Sequence, residues 1–319
     1  MANGHATIID MRVLLTGASG LLGRAVAARL SARGDIDLTC AVFSRAMAHA
    51  VKADLTDPAG VAGLFDAARP EFVIHAAAER RPDVVDGNPA QAAALNVRAT
   101  ENLAQACAGS GAFLLYISTD YVFDGRNPPY FPDSPVNPLN EYGRLKLEGE
   151  RRVAAALPGG RYAILRLPIL YGRVERLGES AVTELASNFS ATREPRAVEH
   201  WANRYPLHVD DVAAAIEKII DARPAGGSPL GRIPASRSPI YLLSGRETLT
   251  KYEMVLIMAE ALGIDPSFVV PDPSPPRGTP RPRDCRMDTS LLEGLGYRQA
   301  IGFREGIAEA LAPFFQAGG

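Results

Sequence analysis

The sequence predicts an α/β protein: a Rossmann doubly wound parallel sheet with a smaller C-terminal substrate domain. Three observations carry this expectation. Short apolar runs alternate with helical stretches through the first half of the chain. The first run, Arg12–Thr16, empties into a glycine-rich turn, Gly17-Ala-Ser-Gly20-Leu-Leu-Gly23. A later helical stretch carries Tyr142-Gly-Arg-Leu-Lys146. Apolar runs that each lead through a turn into a helix are the pattern of strands buried on both faces and joined by right-handed crossovers.

Arg12–Thr16 predicts the first strand, Leu21–Ala32 the first helix and Leu38–Phe43 the second strand. Asp57-Pro58 reads as an N-cap followed by proline at the first helical position, opening a helix to about Ala68. Phe72–Ala76 predicts a third strand, and Pro89 to about Ala108 a long helix. Phe113–Ser118 predicts a fourth strand, Asn140–Ala156 another helix and Tyr162–Leu167 a fifth strand. After Gly172 the pattern loosens. A helix starting near His208-Val-Asp-Asp211 is expected to return to the core, and Ile240–Leu243 to add a strand. Thr250-Lys-Tyr-Glu253 matches a capping box ahead of an apolar helical run to Leu262. Pro271–Arg286, with six prolines and four arginines, reads as a loop. The expected division is an NADP-binding domain over residues 1–172, completed by about 207–243, and a smaller, partly interleaved domain over 173–319.

With 319 residues, 47% hydrophobic and 22% charged, the chain has apolar material for a sizeable globular core. A formal charge of −2 gives no electrostatic reason to expect a nucleic-acid or anionic-membrane partner. No apolar run approaches the ~20 residues that span a bilayer. Met1–Asp10 lacks the charged-then-apolar order of a signal peptide and reads as a ragged lead-in. Cys40, Cys107 and Cys285 are scattered, with no C-x-x-C pair. They read as buried thiols in a reducing, cytoplasmic setting, and no metal site is expected.

Glycines between a strand and a helix permit a tight turn, let the backbone approach a diphosphate and expose the free N–H groups of the helix start. A site preferring NAD places Asp or Glu at the end of the second strand, for the ribose 2′-hydroxyl. Here that strand ends Ala41-Val-Phe-Ser-Arg45. Arg45, helped by Ser44, suits a 2′-phosphate, with a solvated surface arginine as the alternative. Asp54-Leu55 lies where it could meet the adenine edge, or is an ordinary loop.

Tyr142 and Lys146 fall one helical turn apart, on one face. Ser118-Thr119 ends the fourth strand, and carboxyl ends of strands are where an open α/β sheet holds its ligand. Reducing a ketone requires a hydride from the coenzyme and a proton at the carbonyl oxygen. Tyr142 is the expected proton donor. Lys146 is expected to favour its phenolate and hold the nicotinamide ribose, and Thr119 to orient the carbonyl. His75 reads first as a core or turn histidine. Asn96 would satisfy backbone groups near the site. Arg80 or Arg81 could meet phosphates or be solvated. Arg204, His208, Arg281 and Arg283 could receive an anionic substrate, or line a soluble loop.

Gly17-x-x-Gly20-x-x-Gly23, Ser118-Thr-Asp-Tyr-Val-Phe-Asp-Gly125 and Tyr142-Gly-Arg-Leu-Lys146 together resemble the dTDP-4-dehydrorhamnose reductase branch of extended short-chain dehydrogenases/reductases. A closer resemblance, from about Arg12 to Phe315, is to regulatory beta subunits of methionine adenosyltransferase within that branch. It is carried by His75-Ala-Ala-Ala-Glu-Arg-Arg-Pro-Asp-Val-Val85, Tyr121-Val-Phe-Asp-Gly-Arg-Asn-Pro-Pro-Tyr130 and Leu167-Pro-Ile-Leu-Tyr-Gly172. Glu179-Ser-Ala-Val-Thr183, Thr250-Lys-Tyr-Glu-Met254 and Arg281-Pro-Arg283 add to it.

The resemblance implies NADP(H) binding and a triad at Thr119, Tyr142 and Lys146. The expected cofactor set begins with Gly17, Ser19, Gly20, Leu21, Leu22 and Gly23 at the turn, then Phe43, Ser44, Arg45, Asp54 and Leu55. It continues through Ala76, Ala77, Ala78, Arg80 and Asn96 to Tyr142, Lys146, Leu167 and Pro168. In the reductases the C-terminal domain receives a 4-keto sugar nucleotide. The regulatory subunits dock on the catalytic subunit through a tail beyond the last helix, whereas this sequence ends Phe314-Phe-Gln-Ala-Gly-Gly319. The first expectation is therefore NADPH-dependent reduction of a ketone such as a 4-keto sugar nucleotide. The alternative is an NADP-binding regulatory subunit, partnered with the methionine adenosyltransferase catalytic subunit and turning over little or nothing.

Overall fold

The computed structural model describes residues 11–189, 194–222 and 240–315. The expected lead-in at 1–10, the stretch 223–239 of the segment expected to complete the first domain, and the end at 316–319 lie outside the described residues. The chain divides into two units. One comprises Met1–Ser118, Leu145–Leu165 and Ile220–Pro239; the other comprises Thr119–Arg144, Arg166–Ile219 and Ile240–Gly319.

The first unit begins with β1 (Met11–Thr16), α1 (Leu21–Ser31), β2 (Ile36–Val42) and β3 (Val51–Lys52). There follow α2 (Pro58–Ala68), β4 (Phe72–His75) and α3 (Pro82–Gly87). A long helical stretch is made of α4 (Pro89–Ala93), a π-helical turn over Ala94–Arg98 and α5 (Ala99–Ser110). β5 (Phe113–Thr119), α6 (Glu141–Ala156) and β6 (Tyr162–Leu167) come next, and each runs across the division between the units.

The strands form because their apolar residues are covered on both faces: Leu14, Leu15, Phe72, Val73, Ile74, Leu114 and Leu115 are all completely buried. β1 lies parallel between β2 and β4, with Leu14 level with Thr39 on one side and Val73 on the other. The direction of winding therefore reverses beside β1, and the loop leaving β1 opens at that switch point, where ligands of such sheets bind. The helix ends follow their sequence signals. Asp57 caps α2 by accepting from the Ala59 N–H at 3.0 Å, and α5 stops at Gly111, whose φ of +80° a side chain would strain.

The second unit adds β7 (Leu170–Tyr171), β8 (Arg196–Glu199), β9 (Leu207–His208), α7 (Val209–Asp221) and β10 (Ile240–Leu242). It ends with α8 (Lys251–Leu262), β11 (Val269–Asp272), α9 (Ser290–Gly294) and α10 (Phe303–Phe315). β10 completes a seven-stranded sheet in the order β10-β6-β5-β4-β1-β2-β3. Two short parallel pairs, β8–β11 and β7–β9, stand apart from it. The capping box at Thr250 and Glu253 forms in both directions at the start of α8. Phe303, Ile307 and Leu311 recur every fourth residue along α10 and pack with Met254 and Met258 of α8 and with Tyr171. Pro271–Arg286, expected as a loop, starts inside β11 and is pinned farther on by the bridge between Asn203 and Asp284. No helix among the described residues is long and apolar enough to cross a membrane.

Candidate functional site

The turn after β1 is built so closely that only glycine fits twice. Gly17 has φ +70°, and a Cβ there would lie 2.6 Å from the Ala77 nitrogen and 2.9 Å from the Ala76 carbonyl carbon. A Cβ at Gly23 would stand 2.1 Å from the Gly17 carbonyl oxygen. Gly20 is the N-cap of α1 and offers no side-chain acceptor, and the first turn of α1 carries no acidic residue. The free N–H groups around Leu21 and Leu22 therefore meet neither a capping side chain nor a carboxylate, an arrangement suited to an external anion. The Ser19 carbonyl accepts from Arg24 Nη1 at 2.9 Å and from Arg45 Nη1 at 3.0 Å.

Around this turn Phe43 is 59% exposed and Ser44 is also exposed. The Asp54 carboxylate is held locally, accepting from the Thr56 N–H at 2.8 Å and hydroxyl at 2.7 Å. Buried Leu55 has its carbonyl tied to Asn102. Ala76, Ala77 and Ala78 follow β4, and Ala76 and Ala77 run against Gly17. Asn96 sits in the π-helical turn with both ends of its amide on Glu79: its Oδ1 accepts from the Glu79 N–H and its Nδ2 donates to the Glu79 carbonyl, each at 2.9 Å. Arg80 is exposed, and Arg81 pairs in bidentate fashion with the Glu79 carboxylate.

Behind the turn lies a buried polar chain. His75, 1% exposed, bonds the Thr16 hydroxyl at 2.8 Å through Nδ1 and the Thr100 hydroxyl at 3.0 Å through Nε2. Thr100 in turn donates to the Asn96 carbonyl at 2.9 Å. Burial, with a smaller push from the Lys146 charge, takes the His75 imidazole down to about 3 from 6.5. This histidine is a neutral core residue.

Lys146, 3% exposed, holds its ammonium 4.0 Å above the centre of the Tyr116 ring. Burial lowers it to about 7, and the Glu150 carboxylate one turn along α6 opposes that fall. Glu150, itself buried, accepts from the Ser118 hydroxyl at 2.5 Å. Its i,i+4 spacing from Lys146 is the sequence signal for it, a weak one because a glutamate on a helix ordinarily faces water.

The expected catalytic set is divided. Lys146 belongs to the first unit, Thr119 and Tyr142 to the second, and Tyr142 stands one turn before Lys146 on α6. The Thr119 hydroxyl donates to Asp120 Oδ1 at 3.1 Å and accepts from the Tyr121 N–H at 3.2 Å, so it caps a local turn. The Tyr142 ring meets Tyr121 edge-on, with centroids 5.9 Å apart. Gly143 is needed beside it, because a Cβ there would lie 2.3 Å from the Tyr121 carbonyl oxygen. Burial raises the Asp120 carboxyl to about 7, against the Thr119 hydrogen bond and the Arg204 charge.

Arg204 is buried and pairs with Glu199 at 3.6 Å; Arg283 lies over Trp201. His208 is buried against Tyr171 and accepts the Asp210 N–H, a helix-start role. Leu167 closes β6 and Pro168 follows it, both in the second unit. A cavity of about 550 Å³ lies at the opposite, amino edge of the first unit's sheet, among Arg12, Phe65, Arg69, Phe113 and Arg161. α2 and α5 end there, and the arginines offset the unpaired carbonyls of those helix ends. Among the described residues no group of three or more His, Cys, Asp or Glu side chains could hold a metal ion.

Comparison with known proteins agrees with this architecture. The chain is 45% identical to methionine adenosyltransferase 2 subunit beta of Xenopus tropicalis, over 97% of this chain and 89% of that protein. It is 33% identical to dTDP-4-dehydrorhamnose reductase of Streptomyces griseus, over 94% and 92% of the two chains. Its fold matches a dTDP-4-dehydrorhamnose reductase from Clostridium acetobutylicum with a TM-score of 0.77 and 26% identity, covering 95% of this chain and 99% of that one. A Bacillus anthracis dTDP-4-dehydrorhamnose reductase in complex with NADP shares the fold at 24% identity, with a TM-score of 0.77 over 95% of this chain and 98% of that one. Residues 11–315 match the RmlD substrate binding domain, and the chain belongs to that family.

Proposed function

We propose that this chain is a cytoplasmic NADP(H)-binding subunit of the beta type, which associates with a methionine adenosyltransferase catalytic subunit and alters its use of methionine or ATP. One observation carries the reading: 45% identity sustained over 97% of the chain with a subunit of that name, against 33% with the Streptomyces griseus reductase. The coenzyme diphosphate lies against Gly17, Ser19, Gly20, Leu21, Leu22 and Gly23, whose cradle would be filled by two Cβ atoms. Phe43, Ser44, Arg45, Asp54 and Leu55 take the adenosine end. Ala76, Ala77, Ala78, Arg80 and Asn96 line the path along the sheet edge, and Tyr142, Lys146, Leu167 and Pro168 take the nicotinamide end.

The test mixes the purified chain with a methionine adenosyltransferase catalytic subunit. A co-eluting complex with a changed KM for methionine or ATP is expected; two separate peaks in gel filtration and unchanged kinetics would overturn the reading.

A second reading, NADPH-dependent reduction of a ketone such as a 4-keto sugar nucleotide, is favoured by the presence of Thr119, Tyr142 and Lys146 together. Bound NADPH would supply the hydride. Tyr142 then gives its phenolic proton to the carbonyl oxygen, and Lys146, while charged, favours the phenolate left behind. Thr119 would have to turn from Asp120 to orient the carbonyl. Tyr142→Phe is expected to slow NADPH consumption with a dTDP-4-keto sugar by about 100-fold or more. No consumption by the wild type, or the same rate in the variant, sinks this reading.

A further inference from the structure

Beyond β11, five prolines between Pro273 and Arg286 leave the chain short of N–H donors. A backbone ladder cannot hold such a segment, and its carbonyls depend on donors from elsewhere. One of those donors is Asn140, immediately before α6. This side chain is 2% exposed and uses both ends of its amide. Oδ1 accepts from the Gly143 N–H at 2.9 Å, capping α6 beside Tyr142, and Nδ2 donates to the Pro280 carbonyl at 2.8 Å. One side chain thus joins the start of the helix that carries Tyr142 to a residue 140 positions later in the chain. Farther along, the Arg283 carbonyl accepts from the Asn203 N–H at 2.8 Å. The Asp284 carboxylate accepts from Asn203 Nδ2 at 2.7 Å and from the Tyr205 hydroxyl at 2.8 Å. Half-buried Arg281 lies between these two anchors. Burial raises the Tyr121 phenol, and the charges of Arg204 and Arg281 oppose that rise, so Arg281 acts on the residue whose ring meets Tyr142 edge-on.

We propose that Asn140 is a positioning residue: by holding the Pro280 carbonyl it sets the Arg281 guanidinium where it meets the diphosphate of a nucleotide-linked ketone. The inference rests on the ketone-reduction reading above. The diphosphate is the charged part of such a substrate and offers acceptor oxygens that suit a guanidinium fork. A guanidinium whose backbone is fixed in advance loses less freedom on meeting it. Asparagine performs both tasks because its amide accepts at one end and donates at the other. Serine in its place keeps the cap on α6 and gives up the tie, since its hydroxyl is shorter by two heavy atoms and does not reach Pro280.

The experiment follows NADPH consumption by the full chain with a dTDP-4-keto sugar, and NADPH binding by nicotinamide fluorescence. Asn140→Ser should raise the KM for the sugar nucleotide by about tenfold, while kcat and the Kd for NADPH shift by no more than about twofold. Arg281→Gln should raise the same KM by about tenfold or more. The Asn140→Ser/Arg281→Gln double variant should be no weaker than Arg281→Gln alone, because the tie then has no guanidinium left to place. That non-additivity is what a purely structural cap would not produce. An unchanged KM in Asn140→Ser, effects that add in the double variant, or a parallel loss of NADPH binding would overturn the positioning role and leave the ketone reading standing. If the wild type consumes no NADPH with the sugar nucleotide, that reading falls and the inference falls with it.

Discussion

Gly23→Ala should remove coenzyme binding and lower the thermal stability of the protein, whereas Gly63→Ala should do neither. The two glycines lie in helices of equal length, α1 and α2, so helix propensity alone favours alanine at both, by about 1 kcal/mol. Their surroundings differ. A Cβ at Gly63 meets nothing within 4 Å. A Cβ at Gly23 stands 2.1 Å from the Gly17 carbonyl oxygen and 2.7 Å from the Ala18 Cα. These are backbone atoms that cannot rotate away, so the turn itself must open. Overpacking of this kind costs about 1–3 kcal/mol, and opening the turn displaces the N–H groups that would meet the diphosphate. At a coenzyme concentration of about 100 times Kd the wild type should gain about 2.7 kcal/mol. Gly63→Ala should show the same gain on a slightly more stable protein, and Gly23→Ala none on a less stable one. Equal coenzyme-induced shifts in all three proteins would mean that the turn is not the diphosphate site.

His75→Phe should destabilise the first unit by about 3 kcal/mol near neutral pH, and by less in acid. The substitution keeps the ring volume but strips the Thr16 hydroxyl of its buried partner and leaves Thr100 only its bond to the Asn96 carbonyl, at about 1–3 kcal/mol for a buried group left unsatisfied. Its pH dependence has a definite sign. The folded imidazole titrates at about 3 and the unfolded one near 6.5. Below 6.5 the unfolded chain therefore takes up a proton that the folded chain refuses. The stability associated with His75 is complete above 6.5 and is lost as the pH falls toward 3, by about 1.4 kcal/mol per unit. Asp120 runs the other way. Raised from 3.8 to about 7, it keeps a proton in the folded chain through that window and loses stability as the pH rises. The two slopes oppose each other in the wild type, so the difference between wild type and variant is the quantity to follow. Urea unfolding at pH 7.5 and pH 5 should give a smaller destabilisation at the lower pH; a difference that does not change with pH would rule out a neutral, proton-refusing His75.

The elements legible in the sequence are those with strong local signals. The five strands from β1 to β6 that carry apolar runs, the proline-started α2 and the capping box of α8 all lie within a few residues of their expected places. β3 is only two exposed residues, Val51 and Lys52, and has no apolar run to announce it. β8 and β11 are four residues each, and β11 contains Pro271, a residue that ordinarily argues against a strand. α10 carries Pro313 near its end, a residue that speaks against a helix there, although its buried stripe is regular. Within the candidate site the glycines, Tyr142 and Lys146 are visible because their spacing is chemical. Glu150 is harder to see, because its burial is explained by the Ser118 hydroxyl, a partner distant in sequence.

The π-helical turn at Ala94–Arg98 puts one residue more into the helix than its α-helical pitch accommodates. In an unbroken α-helix each residue advances the face by about 100°. The surplus residue therefore works as a swivel: α4 presents a different side from the one its spacing to α5 would dictate, while α5 keeps Thr100 on His75. That offset turns Asn96 inward to grip the backbone at Glu79, and so couples the seating of an exposed loop to a single inserted position in a helix behind it.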